Sequence, residues 1–236
     1  MSENIKGKYI MKAFKVDLDS SENQSILKPS ARSSNNQAHQ VDETAKKIDK
    51  LIKNAPYSND NIVLNHNKIK EAFFSPFKPQ LKSAQVFLSH SHADKNKALK
   101  VKNYLEEYLD AECVFIDSLF WDYKDDVLNK LAEYDDISGI EDAFTLILRE
   151  SLECMIKKCP YFVFLQSKNS VSLNQDLLGI TYSAWIYEEL KIAHSISSES
   201  RLTIVMESFQ VSHNISPFLE SLETITLREL SHIINS

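Results

Sequence analysis

Residues 85–94 read QVFLSHSHAD. Val86, Phe87 and Leu88 form a continuous apolar run, too short for a helix and closed by polar residues, which is the pattern of a strand buried on both faces. The same signature returns in CVFID (113–117), YFVFLQ (161–166) and LTIVM (202–206). Between these runs the period changes. Ala98, Val101, Leu105 and Leu109 fall on one face of a helix spanning 93–110, and Phe144–Lys158 reads as a second helix stopped by Pro160. Ser183–Ile196 reads as a third, with Ser183 as its N-cap, and Leu227–Ile234 as a closing helix. Continuous apolar strands alternating with helices predict a doubly wound, mainly parallel α/β sheet with helices on both faces. Such sheets take ligands outside the C-terminal ends of their strands. That places any site at Ser89–Asp94, at Asp117–Tyr123 and at the loop after Gln166.

Outward from this core the pattern weakens. Residues 18–43 are rich in Ser, Asn, Gln and Asp and read as a flexible linker. Ala45, Ile48, Leu51 and Ile52 recur at helical spacing, predicting a short amphipathic helix over 43–54, and residues 65–73 predict another turn or two. Pro76 and Pro79 then break the chain, which sets a domain boundary near residue 84 and makes residues 1–84 a partly disordered N-terminal extension with short helices. Residues 118–142 read as a polar, acidic loop with one helix near 127–132.

Composition narrows the function. Of 236 residues, 43% are hydrophobic and 25% charged, the balance of a globular protein with a sizeable core. With only three glycines, the chain has neither GxGxxG nor GxxxxGK[ST], so no glycine-rich phosphate loop is expected. Residues 1–84 carry 14 Lys and Arg against 9 Asp and Glu, whereas the remainder carries 13 against 24. That acidic remainder argues against nucleic-acid binding by the main domain. Cys113, Cys154 and Cys159 lack metal-ligand spacing, and the pair His90 and His92 has no further ligands, so no metal site is expected. No run of about 18 apolar residues and no apolar leader is present, so the expectation is a cytoplasmic protein with no membrane span.

Four segments then carry a closer likeness. QVFLSHSHAD, CVFIDS followed by Trp121, ILRESLECMIKKCPYFVFLQSKNSV and SAWIYEEL (183–190) occur in the order of the first strand, second strand with its following BB loop, third strand and Trp-to-Glu helix of Toll/interleukin-1 receptor (TIR) domains. Residues 85–236 therefore resemble a TIR domain of the flavodoxin-like kind. FIDSLFWDY, the acidic stretch after it and WIYEE resemble bacterial TIR proteins of Thoeris-type anti-phage defence. The BB region here lacks that family's usual glycine, and residues 122–142 are longer and more acidic than a minimal TIR domain.

The resemblance implies NAD as substrate, with no separate cofactor. It implies cleavage of the nicotinamide–ribose bond and an ADP-ribose-derived signal, made by cyclisation or transfer and read by a separate effector. It also implies self-association and a phage-derived trigger. The family's catalytic glutamate carries over onto Glu189, four residues after Trp185. Without the resemblance, Glu189 reads as a solvated helix glutamate beside Glu188. Nicotinamide leaves as a neutral molecule, so no general acid is needed; one carboxylate near the ribose can stabilise the developing cation. Around it, Ser89, His90 and Asp94 are expected to face phosphate or ribose, with Asp117 and Ser118 at the second strand end. Trp121 is expected to stack on a base, and Trp185 both to pack the helix and to wall the pocket. Asp122, Asp125 and Asp126 would repel a pyrophosphate and are expected to face solvent. Two other readings stand beside this one. One is a TIR adaptor without catalysis; the other is a nucleoside deoxyribosyltransferase-like enzyme with the same sheet and a catalytic glutamate.

Overall fold

The computed structural model describes residues 11–27, 38–55, 57–58, 61–62, 65–109, 113–133, 138–173, 179–197 and 212–236. In chain order the elements are β1 (Lys12–Asp17), α1 (Ser21–Ile26), α2 (Ala38–Lys53), β2 (Tyr57–Ser58), β3 (Asn61–Ile62), α3 (His66–Phe74) and α4 (Lys78–Ser83). There follow β4 (Val86–Ser89), α5 (Lys95–Leu109), β5 (Val114–Ile116), α6 (Asp117–Leu131), α7 (Ser138–Lys158) and β6 (Tyr161–Gln166). The chain closes with β7 (Ser172–Leu173), β8 (Gly179–Thr181), α8 (Ala184–Ser197), β9 (His213–Asn214), α9 (Ser216–Ser221), β10 (Glu223–Thr224) and α10 (Leu227–Ile234).

Five strands form a parallel sheet in the order β10–β1–β6–β4–β5. Side chains alternate across it, as the pleat requires. Phe87, Phe115, Phe162 and Phe164 enter one core, where residues of α2, α3, α6, α7 and α8 cover them. Val86, Leu88, Val114, Ile116, Val163 and Leu165 enter the other, beneath α5 and α10. Phe115, Phe87 and Phe162 are register partners on adjacent strands, with ring centroids 5.9 Å apart at each step. Cross-strand aromatic pairs of this kind reward one register over its neighbours. The fold is a doubly wound parallel α/β sheet with an aromatic face and an aliphatic face.

The domain boundary expected near residue 84 is not where the chain divides. β1 pairs with β6 along all six of its residues, from Lys12 opposite Tyr161 to Asp17 opposite Gln166. Residues 85–166 do supply β5–β4–β6, the 2-1-3 start of a flavodoxin-like order. The next place in the sheet is then taken by β1, from the N-terminal stretch. The strand expected at 202–206 lies outside the described residues.

Three local expectations are corrected. Residues 21–26 are helical, with the Ser20 hydroxyl accepting the Asn23 N–H, where a linker was expected. Pro76 and Pro79 do not end the helical region. Pro76 sits in a 3-10 turn over Ser75–Phe77 and Pro79 in the first turn of α4, places where a missing N–H costs little. The segment after β5 is a 15-residue helix and not a polar loop. Its narrow stripe of Tyr123, Val127 and Leu131 is buried in the aromatic core, while Asp125 and Asp126 point outward as expected.

Candidate active site

β4 leads into α5 on the aliphatic face, whereas its neighbour β6 leads through β7 and β8 to α8 on the aromatic face. Adjacent strands whose connections depart to opposite faces open a crevice at their C-terminal ends. Ser89 closes β4 there, opposite Phe164 of β6.

Glu189 reaches that point from α8. The helix start is fixed by Ser183, whose hydroxyl accepts the Ile186 N–H at 3.2 Å, and by Thr181, whose hydroxyl oxygen accepts the Ser183 N–H at 3.2 Å. Trp185, one turn before Glu189 on the same helix face, is half-buried against the aromatic core. Glu189 itself is 0% exposed, and its Oε2 accepts the Ser89 hydroxyl at 2.5 Å. Burying a carboxylate costs several kcal/mol unless donors meet it, so the Ser89 donation is part of what keeps Glu189 inside. The adjacent Glu188 turns elsewhere, 3.3 Å from Arg149 of α7 and 3.7 Å from Lys191. Two sequence-neighbouring glutamates are thus sorted into a paired outer one and an enclosed inner one.

Asp94 marks the start of α5. Its Oδ2 accepts the Ser167 hydroxyl at 2.5 Å, and its Oδ1 accepts Asn169 Nδ2 at 3.0 Å, with Lys97 Nζ 3.5 Å away. Lys97 also donates to Asp19 at 2.9 Å, beyond the end of β1. Asp19 in turn accepts the backbone N–H of Lys168 at 3.0 Å. That backbone donor, with Lys97 beside it, holds the Asp19 carboxyl below its ordinary value, and Asp19 raises the ammonium of Lys97. The turn 167–170 is closed on itself as well, since the Ser167 N–H donates to Ser170 Oγ at 2.8 Å.

Of the residues named from sequence, Ser89 and Glu189 meet, and Asp94 lies in the same crevice wall but spends its carboxylate on the protein. His90 is buried after Ser89, and Ser118 is buried in the first turn of α6. Asp117 and Trp121 belong to α6; their side chains lie outside the described residues, and Trp121 is not the loop aromatic that was expected. Sequence reading missed Asp19, Lys97, Ser167 and Asn169. The only signal was position: 167–169 follow a strand end, and SKN resembles any polar turn.

Two recesses among the described residues lie away from this crevice. One of about 540 Å³ runs between α2 and α3, past Lys47, Lys50, Leu51 and Lys68. The other, about 240 Å³, sits at the opposite end of the sheet by Met11, Lys158 and Pro160. Among the described residues no cluster of His, Cys, Asp or Glu is placed to hold a metal, and no helix is long and apolar enough to cross a membrane. No protein-family model, curated protein or solved structure matches the chain.

Proposed function

We propose that this protein is a TIR-type enzyme that cleaves NAD at the nicotinamide–ribose bond, with Glu189 as the catalytic carboxylate. The observation that carries the reading is the Ser89–Glu189 hydrogen bond. Two segments of the TIR resemblance, with Ser89 and Glu189 100 residues apart, meet through their polar side chains at the C-terminal end of β4. A carboxylate there stabilises positive charge on the ribose as the C1′–N bond breaks and its electron pair leaves with neutral nicotinamide. A hydroxyl of water, ribose or a small acceptor then forms the new bond at C1′ and loses its proton. Ser89 occupies the carboxylate oxygen that a ribose hydroxyl would take, so substrate entry exchanges one hydroxyl donor for another. We extend the proposal to an ADP-ribose-derived signal read by a separate effector in anti-phage defence, with self-association and a phage-derived trigger upstream.

One observation favours a second reading. Glu189 is wholly enclosed in the isolated chain, and its bond to Ser89 ties α8 to β4, as a structural residue of a non-catalytic adaptor would.

The test is NAD turnover by concentrated full-length protein, wild type against Glu189→Gln, with products separated by chromatography and mass spectrometry. Gln keeps the volume and an acceptor for Ser89, so the variant stays folded. Glu189→Ala would orphan the Ser89 hydroxyl at a cost of about 1–3 kcal/mol. Nicotinamide release that falls roughly 100-fold or more in Glu189→Gln supports the enzyme. Equal turnover by both proteins would remove Glu189 from the chemistry, and none by either in the presence of phage-infected lysate supports the adaptor.

A further inference from the structure

We propose that Asp94 is a positioning residue and not a ligand of the substrate: its carboxylate, through Ser167 and Asn169, fixes the turn after β6 and thereby the helix that carries Glu189. This deepens the NAD-cleavage reading and rests on it for its kinetic part alone.

The Asp94 side chain is only 1% exposed. Both its oxygens are engaged, one by the Ser167 hydroxyl and one by the Asn169 amide, with Lys97 balancing the charge. Charge-assisted hydrogen bonds are about twice as strong as neutral ones, and a buried carboxylate that lost them would bear its desolvation cost alone. A ribose hydroxyl would compete for Asp94 with Ser167 at one oxygen and Asn169 at the other. The same turn is held from its other side, where Asp19 accepts the Lys168 N–H. Lys97 joins the two carboxylates, 2.9 Å from Asp19 and 3.5 Å from Asp94. Connections leaving β1, β4 and β6 are therefore locked together at one corner of the sheet.

What the lock controls follows from the chain path. The turn 167–170 runs directly into β7, β7 pairs with β8 at Ser172–Ile180, and β8 leads through Ser183 into α8. Ser89 stands five residues before Asp94. The crevice is thus braced twice between the same two connections, once by Ser89 to Glu189 and once by Asp94 to Ser167. The second brace sets where α8 begins, and hence where Glu189 sits.

The experiment uses the full chain as wild type, Asp94→Asn, Asp94→Ala, Ser167→Ala and the Asp94→Ala/Ser167→Ala double variant. Amide hydrogen exchange and NAD kinetics are both measured. In Asp94→Ala the amides of 168–170 exchange at least about tenfold faster, the scale of one lost charged hydrogen bond, while those of α10 keep their rates. Ser167→Ala also removes the Oγ that accepts the Asn169 and Ser170 N–H groups, so its change is at least as large, and adding Asp94→Ala to it changes little. The kcat for NAD falls with KM nearly constant, because Glu189 is displaced while no substrate contact is lost. Asp94→Asn keeps an acceptor for Ser167 but none for the Asn169 amide, so both readouts fall between wild type and Asp94→Ala; Ser167→Ala serves if Asp94→Ala does not fold. A raised KM with unaltered exchange at 168–170 would make Asp94 a substrate ligand and overturn the proposal, as would additive effects in the double variant. If wild type turns over no NAD, the exchange results still decide the brace, and only the NAD reading falls.

Discussion

The Tyr123 hydroxyl on α6 donates to Thr44 Oγ1 on α2 at 2.5 Å, with both side chains buried. Burial pushes the Tyr123 phenol up to about 12, against the opposing pull of its Thr44 partner. Its ring also meets Phe77 edge-on at 4.9 Å and lies 5.3 Å from Phe73. Every one of these partners precedes residue 84. A chain that begins at Gln85 therefore loses α2, α3 and the strand β1 beside β6, and it is expected not to fold. Circular dichroism and urea titration would show no cooperative transition. A cooperative transition in that shortened chain would mean β1 is dispensable. The single change Tyr123→Phe costs about 1 kcal/mol, the net value of one hydrogen bond.

Which parts of this were legible follows from how each element is covered. β4 and β6 are enclosed on both faces, so VFL and YFVFL declare themselves. β1 lies next to the edge, flanked outside only by the two-residue β10. Its Lys12, Lys15 and Asp17 dilute the pattern, and Lys15 turns its ammonium aside to the Leu219 carbonyl at 2.8 Å. α6 hides for a related reason, since Asp125 and Asp126 interrupt a buried stripe only one residue wide per turn. In the site, Glu189 was singled out by resemblance and not by periodicity. The grip of Asp94 on Ser167 spans 73 residues, a distance over which local pattern says nothing about partners.

The outer edge of β5 carries a second expectation. Val114 turns its N–H and C=O away from β4, where Glu106 accepts the N–H at 3.0 Å and Lys102 donates to the carbonyl at 2.9 Å. The two side chains also pair with each other along α5. They stand in for a sixth strand and close an edge that would otherwise be a template for strand addition. Glu106→Ala leaves the Val114 N–H without its acceptor and Lys102 without its counter-charge, costing about 1–3 kcal/mol. The variant should unfold at lower urea and form concentration-dependent oligomers in gel filtration. A monomeric variant of unchanged stability would show that solvent serves this edge as well as Glu106 does.

The three thiols should separate by reactivity. Cys113 and Cys159 are buried, and burial pushes them up to about 11 and about 12 respectively, so neither forms a thiolate at neutral pH. Cys154 is exposed on α7. Native protein at pH 7.5 should be alkylated once, at Cys154, with the other two modified only in denaturant. Labelling of Cys159 at a comparable rate, read by peptide mass spectrometry, would show that the start of β6 opens under native conditions.

The Asp19–Lys97 corner gives a pH dependence whose sign is fixed. The Lys168 N–H and Lys97 hold the Asp19 carboxyl below its ordinary 3.8 in the folded protein. A depressed folded value means the unfolded chain takes up the proton first, so the stabilisation is complete above pH 3.8 and is lost as pH falls through the folded value. Asp19 is partly solvated, and the effect is expected at the turn and not in global stability. Exchange of the Lys168 amide, corrected for intrinsic rates, should stay slow down to about pH 4 and accelerate below it. In Asp19→Ala, which removes the acceptor of the Lys168 N–H, that step should vanish, with the amide already fast at pH 6. A step of equal size in both proteins would place the titrating group elsewhere.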